Sequence, residues 1–77
     1  MPHISIKMLK GRTDEQKALA VKKLTDALCD ALGCSESHVS VAVEDYTAQE
    51  WQDVFAKEIA ENPSILKKPY YDPKDLL

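Results

Sequence analysis

Hydrophobic and polar residues alternate strictly in two short stretches of the chain. In HISIKM (3–8) every second side chain is apolar, and in HVSVAVE (38–44) three valines follow the same rule. A period of two is typical of a β-strand that has one apolar face. The sequence therefore predicts two strands, and each of them has one side that must be covered.

A helical period fills the space between these strands. Thr13 and Gln16 fit a capping box that opens a helix, and Gly33 stands where a helix commonly ends in left-handed backbone. The apolar residues of this segment share one face: Ala20, Val21, Leu24, Ala27, Leu28, Ala31 and Leu32. The helix has about 19 residues and is roughly 28 Å long. A strand, a crossover helix and a second strand predict a βαβ unit with parallel strands.

The last third of the chain predicts a second, shorter helix followed by an arm. Residues 48–62 place Trp51, Val54, Phe55 and Ile59 at helical spacing before Asn62-Pro63. Residues 63–77 contain three prolines and have no clear period, which predicts an extended arm with a short strand at 65–66. A disordered tail fits the same composition equally well. The expected fold class is α/β (α+β), in a single domain over residues 1–77.

Two strands are too few for a stable sheet, and each leaves an open edge. Pairing two copies edge to edge gives a four-stranded sheet with helices on one face. The βαβ interpretation therefore predicts a homodimer in which the sheet is completed between subunits.

Composition narrows the classes of partner and location. The formal net charge of -3 disfavours nucleic acid, since phosphate binding needs a basic surface. No apolar run approaches membrane length and the first residues lack a signal peptide's apolar stretch, so a cytoplasmic protein is expected. Cys29 and Cys34 have no CxxC spacing and are expected to be reduced thiols.

Three segments resemble the 4-oxalocrotonate tautomerase family over residues 2 to about 55. They are MPHISIK at the start, GRTDEQK at the opening of the long helix, and the valine-rich second strand. Within the superfamily, MPHISIK, Trp51 and LKKPYY (66–71) are most similar to the dimeric PptA-type branch. The resemblance implies a tautomerase/MIF-like fold and an isomerase that moves a proton between the enol and keto forms of a small 2-oxo acid.

The resemblance also implies that Pro2 is the catalytic base once removal of Met1 makes it the chain terminus. An α-amino group titrates near pH 8, and burial or a nearby cation lowers the pKa of an amine further. An amine poised near the working pH suits general-base catalysis. Such a proton transfer needs neither a metal nor a cofactor, and none is expected.

Arg12 matches the family's arginine that binds a substrate carboxylate. It lies beside the predicted helix N-terminus, and an arginine and a helix N-terminus together suit an anion. The first strand spans about 20 Å between Pro2 and Arg12. We therefore expect Arg12 to reach the Pro2 of a partner subunit, which makes the site composite.

Ser40 departs from the family pattern, because the best-known members carry a second arginine at this position. A serine supplies one hydrogen bond and no charge, which favours a monoacid with an apolar end, such as an aryl enolpyruvate. An ordinary polar strand residue is the simpler interpretation of Ser40. Trp51 aligns with the family's active-site aromatic residue and fits an apolar wall or a core position about equally. His3 and His38 are expected to be surface or hydrogen-bonded histidines, since metal-ligand spacing is absent.

Two alternatives remain open at the level of sequence. The same proline chemistry serves dehalogenation, hydration or decarboxylation in related families. A homodimeric binding module that kept the fold and lost the chemistry belongs to a different class, and the missing charge at Ser40 keeps it open. Retention of Met1 would remove the free amine and with it every enzymatic interpretation.

Overall fold

The computed structural model describes all 77 residues, and they form two compact units, Met1–Asp45 and Tyr46–Leu77. The first unit contains strand β1 (His3–Leu9), helix α1 (Asp14–Leu32) and nearly all of strand β2 (Ser40–Tyr46). The two strands are neighbours in one two-stranded sheet. This order confirms the predicted βαβ unit.

Side-chain contacts across the sheet give its direction and register. His3 contacts Ser40, and Lys7 forms an ion pair with Glu44 at 3.2 Å. Both contacts join residues 37 positions apart. The separation is constant along the strands, as it must be when two strands run parallel. The polar face of the sheet therefore carries His3 and Ser40 at one end and the Lys7–Glu44 pair farther along.

Helix α1 begins and ends as its sequence predicts. The Thr13 side chain accepts a hydrogen bond from the Gln16 backbone, and the Gln16 side chain accepts one from the Thr13 backbone. Both halves of the capping box are therefore formed. Gly33 ends the helix with φ of 68°, in left-handed backbone that a glycine adopts without a Cβ clash.

The apolar face of α1 is covered over only part of its width. Ala20, Val21 and Leu28 are half-buried, whereas Leu24 is 43% and Leu32 is 64% exposed. The covered line instead continues through Thr25, whose hydroxyl donates to the Val21 carbonyl at 2.7 Å, and through Cys29. The uncovered strip has the same helical spacing: Leu24, Ala27, Ala31 and Leu32. No residue of the first unit is fully buried.

Strand β2 begins two residues later than its valine pattern predicts. Ser35 caps a short 3-10 turn at Glu36–His38 by accepting a hydrogen bond from the Ser37 backbone. That turn takes His38 out of the strand, which then runs from Ser40 to Tyr46. The prediction that His38 starts a strand is therefore wrong, and the cause is a local serine cap.

The second unit begins with helix α2 (Ala48–Val54), which continues as a π-helical segment over Phe55–Ala60. A second capping box, between Thr47 and Glu50, starts α2. The hydrogen bond from the Glu61 backbone to the Ala56 carbonyl at 2.9 Å spans five residues, as a π-helix requires. The prediction of a helix over 48–62 holds in extent, but its second half is π rather than α.

The arm after the helix contains no strand. The expected strand at 65–66 is wrong: Leu66 is fully exposed, and the only regular element of the arm is a 3-10 helix at Pro73–Leu76. Gln52 holds this element by donating to the Pro73 carbonyl at 2.7 Å. No helix in the structure combines the length and the apolar character that crossing a membrane requires.

Candidate active site

Pro2 lies immediately before β1 and is half-buried. Its carbonyl oxygen accepts a hydrogen bond from the Ser40 backbone nitrogen at 3.2 Å. The pairing of the two strands therefore extends to Pro2 and fixes its position beside the first residue of β2. Of the four residues predicted for the site, the structure brings these two together.

Ser40 also contacts the neighbour of Pro2 through its side chain. Its hydroxyl oxygen lies 2.6 Å from the Nδ1 atom of His3, a short hydrogen-bond distance. Both side chains belong to exposed residues on the polar face of the sheet. The expectation of a hydrogen-bonded His3 is met, and its partner is Ser40.

Arg12 lies in the loop between β1 and α1, one residue before the N-cap Thr13. It is exposed, and its guanidinium forms neither an ion pair nor a hydrogen bond within the chain. The whole of β1 lies between Arg12 and Pro2, a separation of roughly 20 Å along an extended strand. One chain therefore keeps these two residues at opposite ends of the strand.

The loop that carries Arg12 is anchored by charges at the start of α1. Lys17, the fourth residue of the helix, forms an ion pair with Asp45 near the end of β2. Both side chains are partly covered, so this pair is screened less than a fully exposed one. It fixes the amino end of α1 against the sheet, and Arg12 lies next to that end.

Trp51 belongs to the second unit and is the one buried hydrophobic residue of the chain, at 9% exposure. Its indole nitrogen donates to the Tyr71 hydroxyl at 2.7 Å, and its ring meets Tyr46 edge to face at a centroid distance of 6.1 Å. Tyr71 in turn packs edge to face on Phe55 at 5.5 Å. We call Tyr46, Trp51, Phe55 and Tyr71 the aromatic cluster. Trp51 is thus a core residue of its unit, while a contact with substrate stays a prediction.

The two cysteines of the chain form a pair of their own. Cys29 and Cys34 are free thiols at the carboxyl end of α1, with 3.5 Å between their sulfur atoms. Partial burial, and next the hydrogen bond shared with Cys34, raise the pKa of Cys29. No group of three or more metal-ligating side chains is assembled in the structure.

Most of the chain matches a known protein family. A family model described as Tautomerase enzyme matches residues 2–53, which include Pro2, Arg12, Ser40 and Trp51. The chain belongs to the 4-oxalocrotonate tautomerase family. This tautomerase is 40% identical over 73 residues to a probable tautomerase of Xylella fastidiosa, covering 92% of this chain and 89% of that one. It is 36% identical over 73 residues to Tautomerase PptA of Escherichia coli O157:H7, covering 92% and 97%.

A shorter match and two solved structures agree with this assignment. The 2-hydroxymuconate tautomerase of Bacillus subtilis is 47% identical over 45 residues, covering 58% of this chain and 73% of that one. The crystal structure of YwhB, a homologue of 4-oxalocrotonate tautomerase, has a TM-score of 0.60 at 42% identity and covers 61% of this chain and 77% of that one. The homologue TomN, from the tomaymycin biosynthetic pathway, has a TM-score of 0.63 at 32% identity, covering 65% and 77%. The tautomerase is therefore an isomerase with a β-α-β fold.

Sequence reasoning missed two contacts. The His3–Ser40 pair depends on the register of the sheet, which alternation alone does not fix, because any even shift keeps the same faces. The Trp51–Tyr71 contact joins residues 20 positions apart across a proline-rich segment. The dipeptide Tyr70-Tyr71 was the available signal, but the sequence does not say which tyrosine packs.

Proposed function

We propose that this tautomerase uses the amine of Pro2, freed by removal of Met1, as the general base for enol–keto proton transfer on a small 2-oxo acid. The observation that carries the proposal is the hydrogen bond between the Pro2 carbonyl and the Ser40 backbone. It holds the proline, and therefore its ring nitrogen, at an ordered end of the sheet. Met1 is 95% exposed, so its removal costs no packing.

The reaction requires only that one group take a proton and return it elsewhere on the substrate. A neutral secondary amine accepts the proton of the enol hydroxyl, and the resulting ammonium donates it to C3 as the oxygen becomes a ketone. The amine ends the cycle neutral, so atoms and charge balance. Proline suits this role because its ring leaves the nitrogen little conformational freedom to lose on binding.

The charges of the site support a monoacid as the substrate. Arg12 carries a guanidinium without an ion pair within the chain, which suits one bidentate carboxylate. Ser40 adds no charge, so a second carboxylate has no matching cation at that position. An aryl enolpyruvate has one carboxylate and an apolar end, and we take it as the best-supported substrate class.

A homodimer resolves the separation of Pro2 from Arg12. The exposed apolar strip of α1, with Leu32 at 64% exposure, is surface that a second copy would cover. If the β1 strands of two copies pair antiparallel, Arg12 of one lies near Pro2 of the other. The active site is then composite, and activity depends on dimerisation.

The first test is ultraviolet-monitored ketonisation of phenylenolpyruvate. It compares protein whose mass shows a terminal Pro2 with a matched chain that carries extra residues before Pro2. We expect catalysis only with the free proline, and Pro2→Ala should lose most of the rate, because a primary amine is a differently tuned base without the ring. Equal rates in both chains would refute Pro2 as the base.

Mixing two inactive variants tests the composite site. In a dimer of one Pro2→Ala and one Arg12→Gln subunit, one site carries both changes and the other is intact. Random mixing of subunits should therefore restore about one quarter of the wild-type activity. If each site were built from a single chain, every site would carry one change and the mixture would stay inactive.

A further inference from the structure

The contact between His3 and Ser40 has no part in the proton transfer derived above. The two side chains approach to 2.6 Å at the end of the sheet where the Ser40 backbone bonds Pro2. Either atom of this pair can be the donor, depending on the protonation of the imidazole. The direction of the bond decides where the single hydroxyl proton of Ser40 points.

The two charge states of the imidazole give the serine opposite roles. When Nδ1 of a neutral imidazole accepts from Ser40, the hydroxyl proton is used within the pair. When a protonated imidazole donates from Nδ1 to the serine oxygen, the hydroxyl proton turns outward and is free to donate to a substrate oxygen. A hydroxyl that accepts from a cation is also a stronger donor, because the hydrogen bonds polarise one another.

We propose that His3 is a positioning residue that makes Ser40 a hydrogen-bond donor to the substrate's carboxylate or 2-oxo oxygen when its imidazole is protonated. The pair then supplies a hydrogen-bond donor at the end of the sheet that carries Pro2, and the charge on the imidazole controls that donor. The proposal rests on the proposed function for the location of the substrate. Because protonation of the imidazole turns the serine proton outward, the proposal predicts that substrate binding depends on pH.

Other charged groups lie on the same face of the sheet as His3 and Ser40. On the same face, Lys7 is paired with Glu44 at 3.2 Å and also donates to Ser5 at 3.1 Å, so these charges largely offset one another. The alternate positions of β1, at Ile4, Ile6 and Met8, point to the other face and carry no titratable group. The Pro2 amine, and Glu36 and His38 on the 3-10 turn before β2, are titratable groups that flank the pair along the chain.

Benzoylformate separates binding from catalysis. It has a carboxylate, a 2-oxo group and an aromatic ring, but no carbon-bound hydrogen beside the ketone, so it binds without tautomerising. Its dissociation constant is measured by calorimetry at about pH 5.5 and pH 8. The pH ratio is the dissociation constant at about pH 8 divided by the dissociation constant at about pH 5.5. The Pro2 amine contributes to this ratio in every variant.

Three variants assign the part of this ratio that belongs to the pair. Ser40→Ala should reduce the ratio by about fivefold, the value of one hydrogen bond. His3→Asn cannot titrate and should reduce it at least as much. Adding Ser40→Ala to His3→Asn should change it no further, since Ser40 responds to pH only through His3. An unchanged ratio in Ser40→Ala overturns the proposal.

Nitrogen-15 NMR of the imidazoles provides a test in which both His3 and Ser40 are unchanged. We expect Nδ1 of His3 to be the unprotonated, accepting nitrogen at pH 8 and to gain a proton as pH falls, while His38→Gln removes the other histidine signal for assignment. A neutral His3 with its proton on Nδ1 would contradict the proposal. If the wild-type protein did not turn over phenylenolpyruvate but kept the pH ratio for benzoylformate binding, only the proposed function would be refuted.

Discussion

Replacing Tyr71 with phenylalanine removes a single hydroxyl group from the aromatic cluster. The ring and its edge-to-face contact with Phe55 at 5.5 Å remain, but the indole nitrogen of Trp51 loses its acceptor at 2.7 Å. An unsatisfied donor in a buried residue costs about 1–3 kcal/mol. Tyr71 is 40% exposed, so a water molecule can enter as a substitute acceptor, and the lower end, about 1 kcal/mol, applies.

The measurement uses the only tryptophan of the chain as its reporter. Thermal unfolding followed by Trp51 fluorescence, at a fixed protein concentration, should show a melting temperature roughly 5 °C lower in Tyr71→Phe. Tyr70 is fully exposed and provides the matched control, since Tyr70→Phe removes the same hydroxyl from a neighbouring ring. Equal shifts in the two variants would show that the indole hydrogen bond is not what stabilises the cluster.

The loop that carries Arg12, the end of α1 and the thiol pair can each be tested separately. Arg12→Lys keeps the charge but loses the bidentate fork, so KM for phenylenolpyruvate should rise about tenfold, whereas Lys10→Gln in the same loop should leave KM unchanged. Gly33→Ala should lower the free energy of unfolding by about 1 kcal/mol in urea titrations, because φ is 68°. An added Cβ would meet no atom within 4 Å, so backbone strain is the whole cost. No loss of stability would mean that the cap relaxes. The raised pKa of Cys29 leaves less thiolate at a given pH, so iodoacetamide should alkylate it more slowly than a free peptide thiol at pH 7, and faster as pH rises. Oxidised glutathione should join Cys29 to Cys34 with a mass loss of about 2 Da, and a stable glutathione adduct on either sulfur would argue against that pairing.

Local signals predicted the first unit well. The Thr13–Gln16 capping box and Gly33 fixed both ends of α1, because each depends on backbone groups within a few residues. The start of β2 was misjudged by two residues, since the Ser35 cap competes with the valine alternation and wins locally. The covered face of α1 also differed, with Thr25 inside and Leu24 largely outside. A helical wheel cannot show which part of a broad apolar face the sheet will reach.

The residues of the candidate site came from matching motifs, and the roles of Pro2, Arg12 and Ser40 stay predictions. Their contacts were not predicted, and the proximity of Pro2 and Ser40 is seen only in the folded sheet. The bond between His3 and Ser40 required the register, which only the folded sheet supplies. In the second unit, the packing of Tyr71 on Trp51 depends on how a proline-rich segment turns back, and no periodic pattern encodes that path.

The π-helical segment marks a place where the chain can change its length. It begins at Phe55, directly after α2 ends and shortly after the family match stops at residue 53. A π turn holds one more residue than an α turn between hydrogen-bonded groups. Deleting one residue from Phe55–Ala60 would therefore let an ordinary α-helix close over the gap without disturbing the helix before it. The same deletion within α1 would rotate half of its apolar face away from the sheet. The π segment is therefore a point at which the chain can lose one residue while the hydrogen bonds of α2 stay as they are.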